Sequence, residues 1–269
     1  MGRILMKKLT TALLPLALLV TSFGAQAATS DGKTVGVSAG WLHIMPQGKK
    51  QGVSGTSALL GSDYSGDSGF EIDNSDTGGL LFDYYVNDNV SLEFVAGYPP
   101  KMKIDGKGSI LKGRPTVNGG NGLDLASLGE VGEVDAYTPV LLGKYQFGTV
   151  ESKFRPFVGA GFMYAHFSNF KLGSDVNSRL NSSVVGGTLG LNVSKVDIDD
   201  AVAPVATIGA DYNFNKDWFA TASVTYAHLK TRAKLDINSS TLQGTQVLQG
   251  ESDIEINPIV TYLGVGYRF

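Results

Sequence analysis

From residue 34 onward, apolar and polar positions exchange with a period of two in separate stretches, the pattern of strands whose two faces meet different surroundings. The stretches predict strands over 34–45, 79–86, 90–98, 136–147, 154–169, 203–214, 218–235 and 254–269. The last shows the alternation best. Thr261, Leu263, Val265, Tyr267 and Phe269 share one face, whereas Val260, Tyr262, Gly264, Gly266 and Arg268 share the other. Parity sorts the remaining stretches in the same way, with Leu80, Phe82 and Tyr84, Leu92 and Phe94, Leu141 and Tyr145, Val158 and Phe162, Ile208 and Tyr212, and Trp218 and Val224 on apolar faces. It is weakest in the first and seventh stretches.

The connections alternate as well. Residues 87–89, 148–153 and 215–217 are short, while 46–77, 99–135, 170–202 and 236–253 are long. Short turns at one end and long loops at the other are expected of an all-β, eight-stranded antiparallel transmembrane β-barrel, with periplasmic turns and extracellular loops. The core of each stretch is near the ~10 residues that cross a bilayer at a tilt. Structureless loops of such length would be unusual in a compact soluble domain. Tyr84, Tyr145, Tyr212, Trp218, Tyr267 and Phe269 gather near the short-turn ends, where an interfacial aromatic girdle belongs. A soluble β-sandwich would instead hide this band in its core.

At the N-terminus, Lys7 and Lys8 precede an apolar run over 13–20 that ends in small residues around Ala25 and Ala27. This predicts a secretory signal peptide over 1–27 and a barrel domain over 28–269. The run is shorter than the ~20 residues a transmembrane helix needs. Removing it takes away Arg3, Lys7 and Lys8 and makes the formal net charge of −3 more negative. An acidic chain without a basic run argues against nucleic acid as a partner. Cysteine is absent, so no disulfide or thiolate chemistry is available.

The inward faces change character along the barrel. Asp83, Glu93, Lys144, Arg155, Asp211 and Arg268 lie toward the short turns, where three acids meet three bases. An unpaired charge inside a narrow barrel is expensive, which predicts mutual pairing. The cluster serves either as a packing and register device or as part of a transport path. Toward the long loops the inward set becomes Leu42, Ile44, Leu81, Val140, Leu142, Met163, Phe167 and Leu229. These residues either fill the barrel as a core or line a channel whose wall stabilises an apolar solute by roughly 25 cal/mol per Å² buried.

Several segments carry a resemblance to a known family. Asp88-Asn89-Val90-Ser91-Leu92-Glu93 through Pro99, Lys153-Phe154-Arg155-Pro156-Phe157-Val158-Gly159-Ala160-Gly161, Asn215-Lys216-Asp217-Trp218 and the ending Gly264-Val265-Gly266-Tyr267-Arg268-Phe269 resemble the outer membrane protein W family. That family includes porins associated with uptake of hydrophobic molecules. The long first loop and the extra residues around 111–129 depart from it. The resemblance implies a monomeric eight-stranded barrel of the bacterial outer membrane, set among lipid and lipopolysaccharide, with a hydrophobic channel for small apolar solutes. Phe269 and Tyr267 resemble the terminus read by the barrel assembly machinery.

Other motifs weaken on inspection. Gly66-Asp67-Ser68-Gly69 looks like the surroundings of a serine nucleophile, but it lies in a Gly/Ser loop with no positioned histidine. His43, His166 and His228 are scattered without metal-ligand spacing. The acids Asp63, Asp67, Glu71 and Asp73, and Asp197, Asp199 and Asp200, lack a Ca²⁺-loop spacing and read as solvated charge. The expectation is a barrel with no enzymatic activity, no metal and no cofactor. It acts as a channel for hydrophobic molecules or, alternatively, as a structural or adhesive surface protein. Because further descent meets the charge cluster, a solute in the channel is expected to leave sideways into the outer leaflet, where Pro139 or Pro204 removes a backbone donor.

Overall fold

In a computed structural model the described residues are 27–48, 52–57, 61–110, 112–113, 120–182, 188 and 190–269; the expected signal peptide, apart from Ala27, lies outside them. The chain forms β1 (Val35–Met45), β2 (Val53–Ser57), β3 (Gly61–Ser65), β4 (Gly69–Ile72), β5 (Ser75–Tyr85), β6 (Val90–Gly97), β7 (Lys101–Lys107), β8 (Ser109–Ile110) and β9 (Leu123–Asp124). It continues through a 3₁₀ turn (Ala126–Leu128), β10 (Glu130–Tyr137), β11 (Val140–Gln146), β12 (Phe154–Leu172), the short helix α1 (Val176–Asn181), β13 (Leu191–Ile198), β14 (Ala201–Asn213), β15 (Trp218–Ala227), β16 (Lys230–Ser239), β17 (Thr245–Glu255) and β18 (Ile259–Arg268).

Eight strands close the barrel in the order β11-β6-β5-β1-β18-β15-β14-β12, and β12 returns to β11. Every pairing is antiparallel, as chain-consecutive hairpins require. The first and last strands meet at Gly36↔Arg268 through Met45↔Ile259, which closes the ring of eight strands. The outward residues are those that parity assigned. Phe162 is 65% exposed and Ile208 63%, surface that a soluble sandwich would bury and that a closed barrel turns toward lipid.

Aromatic side chains ring both ends of this apolar band. At the short turns Tyr145 meets Phe147, Tyr212 meets Phe214, and Tyr267 meets both Trp218 and Phe269, all edge to face with centroids 4.9–5.7 Å apart. Toward the long connections Trp41, Tyr137, Tyr164 and Tyr226 point outward. In β15, Trp218 and Tyr226 lie eight residues apart, roughly 20 Å of height at ~3.3 Å per residue and a ~40° tilt. That approaches the ~25 Å apolar band of outer-membrane barrels.

The long connections are not structureless, contrary to the expectation. β4, β7 and β10 extend the wall through the upper part of β12, and β13, β16, β17, β2 and β3 form a second sheet above the membrane. Three predicted strands accordingly split at the rim: 136–147 at Thr138-Pro139, 218–235 at His228-Leu229 and 254–269 around Pro258. The last two breaks are knitted together, because Ala227 N donates to Pro258 O and Ile256 N to Leu229 O. Above the rim, outward apolar positions give way to cross-strand ion pairs, including Lys101–Glu133 (3.0 Å), Lys103–Glu130 (2.8 Å) and Arg232–Asp253 (2.8 Å). Exposed pairs like these contribute only about 0–1 kcal/mol each; they mark a face in water. Beneath them Val53, Leu125, Leu128, Val176, Leu180, Ile237 and Val247 form a separate buried core, which is why the loops fold.

This topology predicts that trypsin added to intact cells cleaves after Lys112, exposed in a turn of the second long connection, and spares Lys153 and Lys216 in the short turns. Mass spectrometry of the released peptides reads the outcome; cleavage only at Lys153 or Lys216 would invert the orientation.

Candidate functional site

The lower half of the lumen is filled. Asp83 and Glu93 stand directly opposite each other on β5 and β6, a like-charge pair that would repel if left alone. Lys144 reaches from β11 to both, at 2.8 Å and 2.7 Å. Below them Arg268 bonds Asp211 at 3.2 Å, Asn213 Oδ1 at 2.6 Å and the Tyr85 hydroxyl at 3.0 Å, while Gln146 donates to Asp211 at 2.7 Å. All six predicted charges are buried.

Pairing among them is uneven. Lys144 takes two acids and Arg268 one, while Arg155 has no carboxylate within ion-pair distance among the described residues. Arg155 and Asp211 are register partners, yet Asp211 is already engaged by Arg268 and Gln146. The Arg155 guanidinium instead donates to the carbonyl of Asp88 in the first short turn. Its Nε and Asp211 Oδ1 remain without a partner among the described residues.

Aromatic rings complete the plug. The Lys144 ammonium lies 4.5 Å from the centre of the Phe157 ring, and the Arg268 guanidinium 4.1 Å from that of Phe219, both within cation–π range. The rings fit because the facing inward positions are glycines: a Cβ at Gly209 would strike Phe157 and one at Gly266 would strike Phe219. Large against small at each level leaves little open lumen toward the periplasm. Tyr85, Phe157 and Phe219 escape a reading that places aromatics in the girdle, although their parity with Asp83, Arg155 and Thr221 puts them inside.

Above this plug lies a cavity of about 800 Å³. Leu42, Ile44, Leu81, Val140, Leu142, Met163, Phe167 and Leu229 all face it, so the structure brings the whole predicted apolar set to one place. Glu93, Ser223, Thr225 and Tyr262 form its floor.

The lining of the cavity also includes outward-facing side chains. Tyr98, Tyr137 and Tyr164, which point outside the barrel, line it together with Thr138 and Pro139. The cause is a gap in the ladder. β6 and β11 pair up to Val95↔Val140, and pairing resumes only at Lys101↔Asp135 between β7 and β10, with Ala136 N donating to Pro100 O. Among the described residues no ladder pair joins Gly97–Pro99 to Tyr137–Pro139. Pro99, Pro100 and Pro139 lack the N–H groups that would help close it. Pro204, the other proline expected to weaken the wall, sits in the unbroken β12–β14 ladder and does not line the cavity.

Several of the remaining motif residues find structural partners. His166 Nδ1 and the Tyr164 hydroxyl lie 2.7 Å and 2.5 Å from Asp200 beside the gap. The hydroxyl first, then the imidazole, holds this carboxyl below its ordinary range. His43 and Trp41 share Asp76 at 2.7 Å and 3.0 Å on the opposite flank, and His228 is exposed. Ser68 donates to Ser109 O at 2.8 Å, a tie within the extracellular sheets. Glu71 pairs with Lys107 and Asp199 with Lys234.

Comparison with known proteins agrees with this geometry. The OmpW family model matches residues 31–269. Outer membrane protein W of Vibrio cholerae is 31% identical over 191 residues, covering 71% of this chain and 72% of that protein. The dibenzothiophene metabolism operon protein PahQ of Pseudomonas aeruginosa is 24% identical over 203 residues, covering 75% of this chain and 76% of that one. Among solved structures, the crystal structure of the outer membrane protein OprG from Pseudomonas aeruginosa superposes with a TM-score of 0.66 at 23% identity, over 88% of this chain and 96% of that chain. A closed eight-stranded wall, a lipid-facing apolar band and a family match over almost all of the described chain lead to one assignment: the chain belongs to the OmpW family of bacterial outer-membrane β-barrels.

Proposed function

We propose that this barrel is a passive, non-enzymatic channel for small hydrophobic molecules. They enter the apolar upper lumen from the extracellular side and leave sideways into the outer leaflet between Gly97–Pro99 and Thr138. The carrying observation is the lining of the cavity, in which lumen-facing Leu142 and Met163 meet outward-facing Tyr98, Tyr137 and Tyr164 beside Pro139, above the paired charges and rings. An apolar solute gains roughly 25 cal/mol for each Å² it buries against Leu142, Met163 and their neighbours. Descending further it would have to part Lys144 from two carboxylates and replace none of their bonds, so the wall is the easier exit. The relative PahQ supports the reading, since its name ties it to metabolism of an apolar aromatic compound. We further propose that the barrel works as a monomer, contacts lipopolysaccharide around its aromatic bands, and is read by the assembly machinery through Tyr267 and Phe269.

A second reading has an observation of its own: the extracellular sheets, with their own buried core, suit a structural or adhesive role without transport. Uptake of an apolar fluorescent tracer by intact cells separates the two. Filling the gap with Thr138→Trp is expected to lower barrel-dependent uptake at least about fivefold while heat-modifiable migration on gels persists, because a resealed wall at the rim leaves the ladder below it unchanged. Equal uptake by parent and barrel-free cells would favour the adhesive reading, and unchanged uptake by the Thr138 variant would remove the lateral exit.

A further inference from the structure

The cavity walls are apolar, but its floor is not. Glu93 lines the cavity although the residue is only 3% exposed. Its Oε2 accepts from Lys144 at 2.7 Å, and among the described residues Oε1 has no hydrogen-bond partner. Nor is Oε1 one of the fully sealed, unpaired atoms of the barrel. A carboxylate oxygen that is neither bonded nor sealed, on a residue lining a cavity, faces that cavity.

Its neighbours on the floor are polar too. The Ser223 hydroxyl has no partner among the described residues, Thr225 donates to Thr207 at 2.9 Å with acceptor capacity left over, and Tyr262 shares a 3.1 Å bond with Ser38. The nearest cation, Lys144, is already divided between Asp83 and Glu93. One ammonium already shared between two carboxyl groups offers no surplus positive charge to a ligand above them. A purely apolar end placed here leaves these groups unpaired, and an anionic head meets acceptors and negative charge. A head that donates hydrogen bonds satisfies the floor.

We propose that the preferred occupants are single-chain amphiphiles with a hydrogen-bond-donating head, an alcohol or an ammonium, seated head-down on Glu93 and Ser223 with the chain against Leu42, Leu142 and Met163. Carboxylate-headed chains are discriminated against. This rests on the channel reading above and names its substrate class.

The test uses full-length protein in phosphatidylcholine nanodiscs and four decyl-chain diazirine photoprobes that differ only in their end: hydroxyl, ammonium, carboxylate or methyl. Adducts on Leu142 and Met163 are quantified by mass spectrometry. The hydroxyl and ammonium probes are expected to label these residues at about tenfold lower concentration than the carboxylate probe, the discrimination that one hydrogen bond to a charged group supplies. Ser223→Ala and, separately, Glu93→Gln are expected to shrink that difference to under about threefold. Equal labelling by all four probes would overturn the head selectivity and leave the channel standing. Absence of lumenal adducts with every probe would overturn both.

Discussion

Replacing Lys144 with methionine is expected to destabilise the barrel by about 3–5 kcal/mol, because it strands two buried carboxylates that face each other across β5 and β6. The magnitude follows from an asymmetry. A buried ion pair is a poor source of net stability, since desolvating the charges cancels most of the attraction, but removing one partner leaves the desolvation cost without its compensation. Here one ammonium serves two acids, so the loss is at the upper end of that range. Adding Asp83→Asn and Glu93→Gln to Lys144→Met removes the stranded charges and is expected to recover most of the loss. Lys107→Met, which breaks only the exposed 3.5 Å pair with Glu71, is expected to cost less than about 1 kcal/mol. Reversible urea unfolding in lipid vesicles measures all three. A Lys144 variant as stable as the Lys107 variant would show the plug to be hydrated from the periplasm, and the sealed floor of the cavity would be lost with it.

The contrast between Lys144 and Arg155 shows what a sequence can and cannot say about such a plug. Alternation decides which face a side chain takes, because one residue of slippage would move the whole apolar set from lipid to lumen. Lipid-facing Leu263 and Ile208 and lumen-facing Leu142 and Met163 were therefore legible from the order of residues alone. Alternation does not decide which neighbour a long side chain reaches around a ring of eight strands. Arg155 and Asp211 are register partners, but Arg268 and Gln146 reach Asp211 instead and Arg155 turns to a turn carbonyl.

Two larger features were hidden for related reasons. The extracellular sheets pair strands distant in sequence, β2 with β17 and β13 with β16, through short segments whose exposed faces carry charge rather than a clean apolar stripe. Their period is partly masked by ion pairs. The gap beside Pro139 depends on where two ladders stop and restart, and proline only indicates that a donor is missing. Pro139 and Pro204 looked equivalent in the sequence; continuous pairing around Pro204 is what separates them.

The second large effect concerns the wall of the cavity. Leu142 is buried at its centre, and Leu142→Asp places a carboxylate in the path that an apolar solute is proposed to follow. Lumenal occupancy is expected to fall at least about tenfold, since an apolar chain cannot repay desolvation of that group. Heat-modifiable migration and surface trypsin cleavage at Lys112 report whether the variant has assembled, and only assembled protein enters the comparison.

The most direct measurement of occupancy is photolabelling in intact cells. A diazirine-bearing alkane is added from outside, activated, and the adducts are mapped residue by residue by mass spectrometry. Lipid-facing Leu263 and Ile208 provide the reference, because any alkane in the outer leaflet reaches them. The account predicts adducts on Met163, Leu142 and the gap residues Tyr137 and Thr138 at yields at least comparable with that reference, and their loss from Met163 in the assembled Leu142→Asp variant. Adducts confined to the lipid-facing residues in the parent would contradict it, since the solute would then never have entered the barrel.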